Sequence, residues 1–327
     1  MEWRGFLGAL LLSTALAFYM LYPAWLDPMH AAPGDWRHPD MAGNQWVYQW
    51  IADRLFSGQS LLHNDAYFFP VGDAPWIAGN ASDAFFFAPL ARLVPWPASA
   101  LLWAFLILIL NGLGGYALCR ATNARPLGSV LASSFLVLNP YAAYELSCGR
   151  TAQAPLYGLA FFLAVWLRLL ERPSWGRAAL AGVIYSFTAF QYWYHGLWAA
   201  GFGALLFLIR PDAKALLRFL PFSLALVLPA LWVFISHWHL LPGTEGAPYP
   251  HPQALESGLF ALFPLWGGTG FRAGLILPLT LLLLAGLGFK KSDPLSRVLL
   301  AVALGAWGLA LGPRLLGPDG EMTAWIG

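Results

Sequence analysis

The residues of this 327-residue chain that could do chemistry are concentrated before position 100 and then recur singly. Between 26 and 97 lie seven aspartates, Asp27, Asp35, Asp40, Asp53, Asp65, Asp73 and Asp83, together with His30, His38 and His63. Most loop aspartates cap turns or stay hydrated. A carboxylate held beside apolar surface is different, because desolvation raises its pKa and fits it to act as general base on an alcohol. Asp40 is the first candidate for that task and Asp35 the second, both just beyond the first apolar run. Arg150 and Arg272 stand at the ends of later apolar runs, and a guanidinium suits a phosphate through its planar fork of donors. His195 is a third candidate for the phosphate. The plainer reading is that both arginines snorkel to an interface and His195 is a hydrated loop residue. Glu145 stands close to an apolar run, where a carboxylate is costly and has a reason; pairing with Arg150, five residues on, would be the simplest.

Other chemistries lack residues. The chain has no Gly-rich phosphate loop, no Gly-x-Ser-x-Gly elbow, no His-Glu-x-x-His pattern and no zinc-type cysteine cluster. His237 and His239 are spaced like a metal pair, but no further ligand stands at a characteristic distance, and whether a divalent metal takes part stays open. A substrate already anchored in the bilayer fits this inventory better than a soluble nucleotide.

The elements that must position these residues follow from bulk composition. The chain is 59% hydrophobic and only 10% charged, whereas a soluble surface needs about 25% charged residues. It must be solvated by lipid. A net charge of +2 with scattered basic residues leaves no footprint for nucleic acid. Apolar runs long enough to count as spans lie near 5–25, 98–118, 127–146, 154–170, 177–192, 195–209, 215–236, 273–289 and 295–312. The expectation is an all-α, polytopic transmembrane protein of about nine spans, in one membrane domain. The fifth and sixth runs are nearly continuous through Gln191 to Gly196, as two tightly joined spans or as one kinked helix with a re-entrant piece.

Twelve of the eighteen basic residues fall at alternate ends of these runs: Arg4, Arg120, Arg125, Arg168, Arg172, Arg177, Arg210, Lys214, Arg218, Lys290, Lys291 and Arg297. The positive-inside rule then puts the N-terminus in the cytoplasm and a first outer loop, 26–97, outside. All seven histidines and twelve of the sixteen acidic residues fall on that outer side. Cys119 and Cys148 come out on opposite sides, so no disulfide is expected. Ala15 to Ala17 looks like a signal-peptidase site, but the apolar run continues through Tyr22, which favours an uncleaved first span.

Within the first outer loop, Trp46, Val47, Trp50, Ile51, Leu55 and Phe56 recur at helical spacing, which predicts a short interfacial helix. Its aromatics read as an interface belt or as a platform for stacking on sugar rings or lipid, with Trp46 and Trp50 the residues of interest. A second outer loop is expected over 237–272, folding back over the first.

The order of a first span, a long aspartate-bearing outer loop with an interfacial helix, and many further spans resembles the GT-C superfamily of membrane glycosyltransferases. It is most similar to a group of bacterial members in which an aspartate after a Gly pair is followed by an aromatic-rich helix, a Ser-Gly, a His-x-Asp and an aromatic-Pro-x-Gly turn. The matching residues are Asp40, Trp46 to Trp50, Ser57 and Gly58, His63 with Asp65, and Phe69 to Gly72, and similarity continues through Asn139 to Tyr141, Gly149 with Arg150, and Tyr192 to Tyr194. It covers roughly 35–210. Pro39 replaces a usual Gly, Arg150 replaces a His, and Gln191 or Tyr192 stands where an acidic residue is common. The group also continues with more outer structure beyond Leu311 to Pro313, so the chain is expected to be a fragment.

The resemblance implies a multi-pass protein of the bacterial cytoplasmic membrane that transfers a sugar, with inversion, from a polyprenyl-phosphate-linked donor to a hydroxyl of a glycan, lipid or protein acceptor at the outer face. Asp40 or Asp35 would be the base. Arg150, Arg272, His195, Glu145, Asp65, His63, Trp46 and Trp50 would bind substrate. Two other classes stay in view: a transporter or flippase of envelope lipids or glycans, which should show inverted repeats and mid-membrane ionisable residues, and a non-catalytic accessory subunit.

Overall fold

The computed structural model describes residues 3–35, 37–61, 63–64, 74–75, 82–236, 314–316 and 322–325. The chain forms two compact units, Met1–Pro242 and Gly243–Gly327. Among its described residues the first is mainly helical, with one antiparallel pair of two-residue strands, β1 (His63–Asn64) and β2 (Ala74–Pro75). In the second, β3 (Arg314–Leu316) pairs antiparallel with β4 (Met322–Trp325).

Helices α1 (Trp3–Met20) and α5 (Ala98–Ala121) are long and apolar enough to cross a membrane, and they are the two among the described residues that meet both criteria. Other expected spans form helices of varied length: α6 (Pro126–Val137), α8 (Tyr157–Glu171), α9 (Trp175–Gln191), α10 (Trp193–Ile209) and α11 (Ala213–Ser236). The apolar run at 127–146 is divided. Asn139 breaks it and caps a separate helix, α7 (Pro140–Ser147), its side chain accepting from the amides of Tyr141 and Ala142. The runs at 273–289 and 295–312 and the loop 237–272 lie outside the described residues.

α5 is the hub, and its glycines explain why. A Cβ on Gly112 would meet Ser13 of α1 and Val137 of α6, one on Gly114 would meet Ala160 and Tyr157 of α8, and one on Gly115 would meet Leu136. Three neighbours therefore approach one helix to backbone distance, as small residues allow in apolar bundles. Asn111 adds a polar tie. Its Oδ1 accepts from the amides of Leu156 and Tyr157 at 2.7 and 2.9 Å, and its Nδ2 donates to the Ala154 carbonyl at 3.1 Å. The start of α8, which has no cap of its own, is thus capped by another helix.

A helix is present where the aromatic spacing predicts one, and it is longer than that spacing. α3 runs Pro39–Ser57, with His38 as N-cap, Asp40 in the first turn, Arg54 in the last and Gly58 in the left-handed conformation that ends it. It buries Met41, Gln45, Tyr48, Ile51 and Ala52. A second helix, α4 (Ala84–Leu93), packs beside it and on α5. α9 and α10 are separated by Tyr192 alone, in extended conformation, and pack on each other and on α8. A Cβ on Gly196 would lie 2.7 Å from that of Ala189, so glycine permits this close bend.

Candidate functional site

Two glycines bring Asp40 to Arg150. Gly34 and Gly149 both have positive φ, +133° and +72°, which side chains rarely adopt. A Cβ on Gly34 would come within 2.7 Å of the Gly149 Cα, and one on Gly149 would overlap Met41 Cγ. The loop entering α3 therefore lies backbone to backbone on the turn after α7, with fully buried Met41 wedged against it. Asp40 precedes Met41 and Arg150 follows Gly149, so their side chains meet, with Nη1 and Oδ2 3.6 Å apart.

Around this pair the turn and two helix ends contribute the rest. Glu145 of α7 is 4% exposed. Its carboxylate is bound by the Arg150 fork, Nη2 donating to Oε1 at 3.1 Å and Nε lying 2.6 Å from Oε2. The Arg150 guanidinium also lies over the Tyr144 ring at 5.3 Å. His195, in the first turn of α10, is buried with its ring 5.1 Å from that of Tyr192 and 6.3 Å from that of Tyr141. Both tyrosines are within electrostatic reach of Glu145 and Arg150. Neither ring nitrogen of His195 has a hydrogen-bond partner among the described residues. A buried polar group so placed is either a cost to the fold or a contact for something polar that binds there.

The structure thus assembles four of the expected residues, Asp40, Glu145, Arg150 and His195, and adds Tyr141, Tyr144 and Tyr192. Among the described residues, Asp35 makes no contact with the side chains of these four. Its carboxylate is held by Arg37 through bonds of 2.8 to 3.1 Å, which lower its pKa to about 2 and make it a poor base. Trp46 and Trp50 stack on α3 with centroids 6.2 Å apart, and Arg54 lies over Trp50 at 5.3 Å. The backbone of His63 is in β1. Asp65 and Arg272, with His237 and His239, lie outside the described residues. No group of three His, Cys, Asp or Glu side chains that could hold a metal occurs among the described residues.

A second polar network supports the first. Asp83, one of seven loop aspartates by sequence, is fully buried. Its Oδ2 accepts from Tyr48 Oη at 2.6 Å and from Gln191 Nε2 at 3.3 Å, and Gln191 also donates to Tyr157 Oη at 2.7 Å. Ser82 is tied to the carbonyls of Phe187 and Phe190. The start of the α4 segment is thereby clipped to the end of α9, next to Tyr192.

Burial pushes the Asp83 carboxyl up to about 7, against the opposing hydrogen bonds from Tyr48 and Gln191. The native state therefore holds a proton that the unfolded chain releases between about pH 4 and 7. This contribution to stability is complete below the unfolded pKa and is lost as pH rises through 7. Asp83→Asn keeps an acceptor for Tyr48 and Gln191 and carries no charge, so we expect it to remove a difference of about 2–3 kcal/mol between pH 5 and pH 8. Chemical unfolding of both proteins at pH 5 and pH 8 measures this; parallel changes in the two would remove Asp83 as its source.

Searches of this chain against family models, curated proteins and solved structures return no match.

Proposed function

We propose that this chain is a multi-pass membrane glycosyltransferase of the GT-C type, transferring a sugar from a polyprenyl-phosphate-linked donor to an acceptor hydroxyl at the outer face, with inversion. The observation that carries the reading is the meeting of Asp40 with Arg150 inside a cluster drawn from α3, α7 and the α9–α10 bend. A half-exposed carboxylate and a guanidinium are side by side, with an unpartnered buried histidine nearby. In the reaction, Asp40 takes the acceptor hydroxyl proton, the oxygen attacks the anomeric carbon, and the bond from that carbon to the phosphate oxygen breaks. The phosphate leaves with the electron pair, and Arg150, aided by the neighbouring phenols, stabilises its growing charge.

One-sidedness supports the orientation. Tyr157 and Gln191, beside the cluster, are at one end of α8 and α9, whereas Arg168, Arg172 and Arg177 are at the other. With the arginine end in the cytoplasm, the cluster faces outward. The tight Glu145–Arg150 pair also fits an accessory subunit in which Arg150 is only a counter-ion.

The test is mass spectrometry of lipid extracts from cells with and without the gene. A polyprenyl-linked sugar should accumulate on deletion and fall again on complementation. Unchanged lipid-linked sugars, with the protein shown to be present in the membrane, would end this reading and leave the transporter and accessory classes.

A further inference from the structure

At the arginine end of the bundle, Asn123, Arg168, Glu171, Arg172 and Arg177 line an open recess of about 410 Å³. Its walls are three arginines against one glutamate, and that glutamate is already shared by Arg168 at 3.1 Å and Arg210 at 3.4 Å. Two of the arginines are anchored. Arg168 donates to Asn123, Glu171 and the Arg120 carbonyl, and Nη1 of Arg177 donates to the carbonyls of Arg168 and Arg172. These contacts hold the two forks in place without using all five donors of each. The Arg172 side chain has no hydrogen bond or ion pair among the described residues, so its charge exceeds what the fold needs. The N-terminus of α9, capped by Ser174, adds its positive end to the same place.

We propose that this recess is a binding site for a phosphate group, and that its occupant is the head group of an anionic phospholipid of the inner leaflet. Preorganised guanidinium forks match phosphate oxygens in pairs, which ammonium groups do not. The surroundings favour a lipid over a soluble anion. Trp175, Leu208 and Leu217 are exposed, each within two residues of Arg177, Arg210 and Arg218 respectively, and Arg218 lies over the Trp175 ring at 5.7 Å. Apolar surface thus begins where the arginines end, as a bound lipid requires and a free phosphate does not. The source of the phosphate rests on the membrane reading; the recognition chemistry does not.

The experiment uses the full chain in nanodiscs of phosphatidylcholine alone or with phosphatidylglycerol, and reads lipid retention by native mass spectrometry and thermal stability. Wild type should retain phosphatidylglycerol and be stabilised by it. Arg172→Gln, which breaks no contact of the fold, should weaken retention about fivefold, and Arg172→Lys should restore only part. Arg92→Gln, removing one exposed charge from α4, should change nothing. Equal retention of the two lipids, or equal loss in Arg92→Gln, would overturn the site. Stabilisation by inorganic phosphate or glycerol 3-phosphate matching that by phosphatidylglycerol would overturn the lipid as occupant.

Discussion

Asp40→Asn is expected to leave the chain inserted and folded while lowering sugar transfer by about 10²- to 10⁴-fold, the usual worth of a general base. The fold has little stake in this carboxylate. Asp40 is half exposed, its carboxylate's nearest charged partner is Arg150 at 3.6 Å, and the N-cap of α3 is made by His38 accepting from the Asp40 amide, which asparagine retains. Asparagine also keeps the side chain's size and an acceptor oxygen. Transfer should be followed in membranes with the accumulated lipid-linked sugar as donor, and insertion by protease protection. Normal transfer would remove Asp40 as the base. Asp35→Asn serves as the comparison, since a carboxylate with its pKa lowered to about 2 by Arg37 should contribute little.

The second large effect is at Arg150, where structure and chemistry must be separated. Arg150→Gln would strand Glu145, whose side chain is 5% exposed and whose charged partner is that guanidinium. Breaking one side of a buried ion pair costs about 3–5 kcal/mol, because the remaining charge is left uncompensated. The single variant is therefore expected to express poorly, and its inactivity would say nothing about phosphate. Glu145→Gln combined with Arg150→Gln removes both charges and should recover most of the stability. Transfer by this folded double variant should still be down about 10²- to 10³-fold, as for loss of one electrostatic donor to a developing oxyanion. A stable double variant with normal transfer would make Arg150 a counter-ion only.

Helical character, apolar runs and the one-sided distribution of charge were legible because composition and period are local properties. α3 was located from its aromatic spacing, but its ends at His38 and Gly58 were not read from that spacing, because capping is set by single residues outside the apolar pattern. The division of the 127–146 run was less visible. A single Asn139-Pro140 step outweighed a continuous apolar stretch, because the side chain of Asn139 offered two amides a partner that helix continuation could not.

The site itself was decided by tertiary structure. Asp40, Glu145, Arg150 and His195 could be singled out by residue type, but their meeting depends on Gly34 and Gly149 accepting positive φ and a backbone contact across more than 100 residues. Asp35 and Asp40 were equivalent by position; Arg37, two residues on, occupies one, and the 149–150 turn receives the other. Asp83 looked like any other loop aspartate. Its role arises because Tyr48, Tyr157 and Gln191 converge on one dry point, where the energy of a charge is set by what surrounds it in space and not by its neighbours in sequence.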